Sequence, residues 1–276
     1  MSSIPFAKGH GTENDFVLLP DVDGVRELSV DQIALVTDRR RGIGGDGVLR
    51  VVRSRHVADA STDAEWFMDY RNADGSIAEM CGNGVRVFAR YLREEGLADG
   101  PAIDIGTRAG TKRALFEDDG SITVDMGPPQ LLGESVTAVN GRKLTGLGVS
   151  MGNPHLAIDL AGSGLELDDL DLSDEPAYDR SFYPEGVNQE MYVDADPIDG
   201  ADLHVRMRVH ERGVGETRSC GTGICAVAVA ALARQGVERG SVVVDVPGGR
   251  LFTQVGPERI LLRGPAVIVA RGAIEL

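Results

Sequence analysis

Two cysteines stand where a chain can make a thiol reactive. Cys81, in Met80-Cys81-Gly82-Asn83-Gly84-Val85, and Cys220, in Cys220-Gly221-Thr222-Gly223-Ile224, each precede a glycine-rich turn that opens an apolar helix. A thiol at the first turn of a helix lies beside unpaired backbone N–H groups and the positive end of the helix dipole, which favours thiolate over thiol. The same N–H groups receive a carboxylate or phosphate readily, and Gly82, Gly84, Gly221 and Gly223 let the backbone approach a ligand closely. The competing reading is a pair of small cysteines packed in tight helix starts. For Cys225, five residues into its helix, core packing is the expectation.

The duplicated context favours chemistry over packing. The two cysteines are separated by 220 − 81 = 139 positions, and the same offset carries Asn14 to Asn153, Gly9 to Gly148 and Gly110 to Gly249. A cysteine, an asparagine and two glycines in one register imply two similar halves, each bringing one Cys and one Asn to comparable places.

Other polar residues recur where a ligand could be read. Asn14, Asn72, Asn83, Asn153 and Asn188 lie in polar turns, and asparagine offers the donor and the acceptor that an amino acid's carboxylate and ammonium require. Turn chemistry is the alternative for any one of them. Glu211 and Arg212 shortly precede Cys220, and such an opposite-charge pair can bind an ammonium and a carboxylate, or form a surface ion pair. His155, after Asn153-Pro154, is placed to tune a thiol or to hydrogen-bond a ligand, or to be an ordinary half-buried histidine.

The elements that must position these residues are mostly short strands. The 36 glycines among 276 residues imply many turns. Strands are expected from Phe6 to Leu19 around a Gly9-to-Asn14 loop, then at 48–52, 65–70, 102–105, 112–116 and 122–126. Val30 to Arg39 reads as a helix capped by Ser29. Gly42-Ile43-Gly44-Gly45-Asp46-Gly47 lacks the strand-before, helix-after setting of a nucleotide loop and reads as a tight turn. Arg71-Asn72-Ala73-Asp74-Gly75-Ser76 reads as a polar turn before the first Cys helix. In the second half strands are expected at 144–151, 156–160, 187–193, 203–209, 242–246, 251–255, 260–262 and 267–270. One long helix per half among many strands makes the chain α+β, a sheet wrapped around a helix in each of two domains. Gly127-Pro128-Pro129 marks a crossing. The expected domains are residues 1–125, joined by the C-terminal strand at about 266–276 and carrying Cys81, and residues 126–265, carrying Cys220.

Composition narrows the function. The formal charge of −15 opposes binding to nucleic acid. The start of the chain has no signal-peptide pattern, no apolar run approaches membrane-spanning length, and three cysteines are too few for a disulfide framework. A cytoplasmic location is therefore expected.

Asn72-Ala73-Asp74-Gly75-Ser76, Glu79-Met80-Cys81-Gly82-Asn83-Gly84, Ser150-Met151-Gly152-Asn153-Pro154-His155, Gly186-Val187-Asn188, Glu211-Arg212-Gly213, Gly215-Glu216-Thr217 and Cys220-Gly221-Thr222-Gly223 resemble the motifs of diaminopimelate epimerases, a likeness that covers essentially the whole chain. The resemblance implies interconversion of LL- and meso-2,6-diaminoheptanedioate by inversion at one α-carbon, with no cofactor and no metal, in lysine and peptidoglycan precursor synthesis. It implies two pseudosymmetric domains, each a barrel-like, mostly antiparallel sheet around a central helix, and a homodimer. It implies Cys220 as proton acceptor and Cys81 as proton donor, with His155 and Glu211 important for catalysis. Substrate binding falls to Asn14, Asn72, Asn153, Asn188, Glu211 and Arg212, and to the helix starts at Gly82-Asn83 and Gly221-Thr222. One departure is Glu13, where the family often has glycine, which bears on how Asn14 is placed. The alternatives are an enzyme like proline or hydroxyproline racemase and, in another class, a thiol redox switch through a Cys81–Cys220 disulfide. Zinc held by the two cysteines and a histidine has little support, since no paired CxxC spacing exists.

Overall fold

The computed structural model describes residues 3–58 and 60–276. The chain divides into two compact units, Met1–Val124 with Gly264–Leu276, and Asp125–Arg263.

The first unit contains β1 (Ser3–Gly11), β2 (Asn14–Pro20), α1 (Val30–Thr37), β3 (Gly47–Arg53), β4 (Trp66–Asn72), α2 (Gly82–Glu94), β5 (Ala102–Thr107), β6 (Gly110–Phe116) and β7 (Ile122–Asp125). The second contains β8 (Gln130–Val139), β9 (Arg142–Ser150), β10 (Pro154–Asp159), β11 (Ala177–Tyr178), β12 (Asn188–Asp194), β13 (Leu203–Glu211), β14 (Gly215–Thr217), α3 (Gly221–Arg234), β15 (Gly240–Val246), β16 (Gly249–Val255) and β17 (Ile260–Gly264). The last strand, β18 (Val267–Glu275), returns to pair with β1.

The duplication holds strand by strand. Shifting β1 by 142 − 3 = 139 gives the bounds of β9, and the same shift takes β6 onto β16. Pairing senses repeat as well. β1–β2 and β9–β10 are antiparallel hairpins, β2–β3 and β10–β12 are parallel, β3–β4 and β12–β13 antiparallel, and β4–β5 and β13–β15 parallel. β18 lies on β1 as β8 lies on β9. Each sheet packs against its own helix: α2 touches β1 to β6 and β18, and α3 touches β9, β10, β12, β13, β15 and β16.

Both central helices are buried on nearly every side. Every residue of α3 from Gly221 to Leu232 is buried. That stretch is built from glycine, alanine, valine and other small side chains, which lets strands close around it. α2 buries Gly82 to Ala89, Tyr91 and Leu92, including the polar Asn83 and the charged Arg86. Gly9 and Gly148, the offset-related pair, are both points of close approach. A Cβ on Gly9 would meet Ile268 Cδ1 at 2.8 Å and Val87 Cγ1 and the Val267 carbonyl at 2.9 Å; one on Gly148 would meet the Tyr183 hydroxyl at 2.6 Å and the Gly133 carbonyl at 2.9 Å.

Several expectations change in detail. The loop expected from Gly9 to Asn14 shrinks to Thr12-Glu13, because β1 runs on to Gly11, which pairs with Asn14. Thr12 and Glu13 both adopt left-handed backbone, φ +50° and +62°, which a two-residue turn between strands demands and which non-glycine residues adopt at a cost. Arg71 and Asn72, expected in a turn, end β4 instead. The expected helix from Val30 stops at Thr37, capped by Ser29 with a reciprocal bond from Gln32. β8, β11 and β14 were not anticipated. β8 had a signal: Asn140-Gly141 makes its two-residue turn to β9, with φ +45° and +75°, and Asn-Gly between apolar runs is the strongest short hairpin cue. Among the described residues, no helix is long and apolar enough to cross a membrane.

Gly9→Ala and Gly148→Ala should each destabilise the protein by about 1–3 kcal/mol, since the added methyl overpacks against backbone or buried side chains. Gly110→Ala, whose Cβ meets nothing within 4 Å, should lose stability only through its positive φ. Denaturant titration of the three variants checks the order.

Candidate active site

In the first unit Cys81 is the N-cap residue of α2, and its sulfur accepts the Gly84 N–H at 3.4 Å. The thiol faces Asn14 Oδ1 at 3.5 Å. The amide of Asn14 is oriented from both ends. Buried Arg86 donates to Asn83 Oδ1 at 2.7 Å, so Asn83 turns its Nδ2 to Asn14 Oδ1 at 3.2 Å, and Asn14 Nδ2 donates to Asp46 Oδ2 at 2.7 Å. The donors run one way, from a guanidinium to a carboxylate, and leave a carbonyl oxygen toward Cys81. Burial lifts the Asp46 carboxyl above its ordinary range against the pull of the Asn14 bond, and the Asp15 charge adds to the lift. Asn14 therefore reaches the thiol in spite of the strained Glu13 beside it. Asn72 is turned instead to Ser76, its Nδ2 donating to the hydroxyl at 3.0 Å.

In the second unit Cys220 is the N-cap of α3 and is buried. Its sulfur lies 3.5 Å from Thr222 Oγ1, which accepts from Asn153 Nδ2 at 3.4 Å. Asn153 Oδ1 meets His155 Nε2 at 3.0 Å, and His155 Nδ1 meets Glu190 Oε1 at 2.7 Å. Asn188 bridges two segments, donating to the Pro154 carbonyl and accepting the Arg212 backbone N–H, each at 3.0 Å. Arg212 packs its side chain over Gly186 and donates to the Glu185 carbonyl at 3.2 Å. Glu211 accepts from the Thr217 hydroxyl. Asn153, His155, Thr222 and Cys220 thus form one hydrogen-bonded set, with Asn188 and Arg212 joined beside it.

The expectation that a helix start makes Cys220 a ready thiolate does not hold. Burial pushes the Cys220 thiol well above its ordinary range, and the charges of Glu211 and Glu190 push the same way, outweighing the Thr222 hydroxyl and the Gly223 N–H. The helix dipole is worth at most about 2 kcal/mol, too little against full burial. Cys225 packs in the core as expected, with no exposure.

Three residues of this geometry escaped the sequence reading. Asp46 lies in the glycine-rich turn that was read only as a turn. Arg86 is a charge three residues after Asn83 on the buried face of α2, a spacing that could have flagged it. Glu190 sits in an otherwise buried strand, where a carboxylate calls for a partner.

The backbone superposes on a phenazine biosynthesis protein of the PhzF family from Bacillus anthracis over 100% of both chains, with a TM-score of 0.72 at 16% identity. It also superposes on a hydroxyproline epimerase from Agrobacterium vitis over 99% of this chain and 92% of that one, with a TM-score of 0.67 at 15% identity. These define the class as the duplicated two-domain fold that those proteins share. The family profile described as diaminopimelate epimerase matches residues 6–132 and 147–269. Diaminopimelate epimerases of Rhodococcus jostii, over 98% of this chain and 96% of that protein, and of Corynebacterium glutamicum, over 99% of both, are each 49% identical to it. The chain belongs to the diaminopimelate epimerase family.

The two helix starts predict different tolerance. A Cβ on Gly223 would lie 2.6 Å from Glu190 Oε1, whereas one on Gly84 would meet Cys81, Leu49 and Phe16 at 3.4 to 3.6 Å, ordinary contact. Gly223→Ala should destabilise by about 1–3 kcal/mol, and Gly84→Ala should stay within about 1 kcal/mol of the parent. Urea denaturation midpoints measure both.

Proposed function

We propose that the chain interconverts LL- and meso-2,6-diaminoheptanedioate, with Cys220 and Cys81 as the two proton-transfer groups. The observation that carries the reading is a cysteine at the N-cap of the buried central helix of each unit, Cys81 beside Asn14 and Cys220 joined through Thr222 to the offset-related Asn153. Cys220 as thiolate takes the α-proton, and the electron pair of that C–H bond passes into the adjoining carboxylate. The Cys81 S–H bond then breaks and its proton forms the new C–H bond on the opposite face, which inverts the carbon. The reverse reaction exchanges the two roles. Backbone N–H groups at Gly82-Asn83 and Gly221-Thr222 hold the α-carboxylate and stabilise charge as it develops there.

The raised proton affinity of Cys220 makes its thiolate a strong base toward carbon once formed and lowers the thiolate fraction at neutral pH. Asn14, Asn72, Asn153, Asn188 and the Glu211-Arg212 pair fix the remaining amino-acid end, with Glu211 for the ammonium and Arg212 for the carboxylate. His155 keeps Asn153 in place and so acts on the Cys220 side. The racemase alternative is not favoured: the hydroxyproline epimerase shares the fold at 15% identity, while relatives named diaminopimelate epimerase share half the sequence. A homodimer, a cytoplasmic setting and redox-sensitive thiols are carried by the family resemblance and by the reactive cysteine chemistry.

Proton NMR of LL-diaminopimelate with purified enzyme should show meso isomer forming. Cys81→Ala and Cys220→Ala should each lower that rate by more than about 10²-fold, with circular dichroism unchanged. Full activity in either variant would remove the two-thiol mechanism.

A further inference from the structure

Three consecutive polar residues of β12, Asn188, Gln189 and Glu190, are buried, the last two without exposure. The structure accounts for the first two. Asn188 bridges Pro154 and Arg212, and Gln189 accepts the Thr137 hydroxyl at 2.6 Å while donating to the Pro176 carbonyl at 2.7 Å. Glu190 is different. One oxygen meets His155, and the other, Oε2, has no hydrogen-bond partner among the described residues. A buried carboxylate with an unused oxygen is expensive, and a neutral residue would avoid the expense.

Its position says what the charge does. Glu190 lies directly under the first turn of α3, so close that residue 223 has no room for a Cβ. The duplicated unit shows that the fold does not need a charge there. Strand pairing sets the equivalence: Asn188 faces His155 as Gly47 faces Phe16, so β12 follows β3 at 188 − 47 = 141 and Glu190 corresponds to 190 − 141 = 49, the buried Leu49, while Gly223 corresponds to 223 − 139 = 84, where Gly84 rests on that same Leu49 and on Phe16. One helix start sits on hydrocarbon and the other on a carboxylate.

We infer that Glu190 is a positioning residue of the epimerisation: seated beneath the first turn of α3, it turns a carboxylate to the Cys220 helix start, and its bond to His155 fixes the imidazole that holds Asn153. This rests on the reading of Cys220 as a proton-transfer group. The helix start alone would ease the thiol toward thiolate; Glu190 opposes it and keeps Cys220 a strong base without touching substrate. Burial and Glu211 from β13 push Cys220 the same way and more strongly, and Glu190 itself is faced by His155 from β10, to which it is bonded, and by Tyr183, whose hydroxyl reaches the His155 carbonyl at 3.5 Å. Arg218, just ahead of α3, turns to the Pro247 carbonyl at 2.7 Å.

The test is peptide-resolved alkylation of the full chain by iodoacetamide across pH, without substrate, for the parent, Glu190→Gln and Glu190→Asp. Removing the charge in Glu190→Gln should move the midpoint for Cys220 down by about one pH unit and leave that of Cys81 in place. The rising limb of kcat against pH should move down with it, with KM within about threefold, because a less basic thiol is deprotonated at lower pH. Glu190→Asp keeps the charge and should keep the Cys220 midpoint. An unchanged Cys220 midpoint in Glu190→Gln, or equal movement of both cysteines, overturns the inference. If the Gln variant does not fold, the Asp variant decides alone, a drop of about one unit there counting against it. The midpoints need no substrate. A parent chain inert toward diaminopimelate that still shows the Cys220 shift would sink the substrate reading and leave Glu190 its role, and an active parent without the shift would do the reverse.

Discussion

Each unit of this protein encloses its principal helix within its own sheet, and that enclosure governs the rest. The leading N–H groups of an α-helix have no intrahelical partners, and here they end inside protein. Serine, threonine or aspartate at the N-cap would satisfy some of them. Cysteine does so only weakly: Cys81 takes the Gly84 N–H at 3.4 Å, and the Gly223 N–H eases the Cys220 thiol too little to offset its burial. A thiol is thereby held at the point where those donors emerge. The small residues of α3 and the close-approach glycines of both units follow from fitting strands around such a helix.

On that common plan the two units have diverged. The offset-related asparagines present opposite ends. Asn14 turns its carbonyl toward Cys81, fixed by Arg86 through Asn83 and by Asp46, whereas Asn153 turns its amide nitrogen toward Thr222 beside Cys220, fixed by His155. A carbonyl beside one sulfur suits a thiol that holds its proton. Burial of the other sulfur, with the charges of Glu211 and Glu190, raises its hold on a proton once taken. A duplicated scaffold with unlike surroundings is what a reaction needing an acid on one face and a base on the other requires.

Much of this was legible in the residues. The cysteine-glycine helix starts and the asparagines at the 139-residue offset mark the duplication and name one member of the set around each thiol. The α+β class follows from one long helix per half. What could not be read was depth. The dipole argument treats Cys81 and Cys220 alike, and only the packing shows that Cys220 is buried with two carboxylates acting on it. Asp46, Arg86 and Glu190 are ordinary charged residues in sequence; their meaning comes from strands far apart in the chain meeting one helix. β8 is a different case, because its Asn140-Gly141 turn is a direct hairpin cue in the sequence.

The central claim is inversion by two thiols of unlike protonation. It is tested most directly by running LL-diaminopimelate in D₂O and analysing substrate and product early in the reaction. Thiol protons exchange with solvent, so a separate donor on the second face delivers deuterium. The account predicts deuterium at the α-carbon of the meso product while unreacted LL substrate keeps its α-proton. Deuterium entering recovered LL substrate as fast as it enters product would contradict it, because one group would then be removing and returning the proton on a single face.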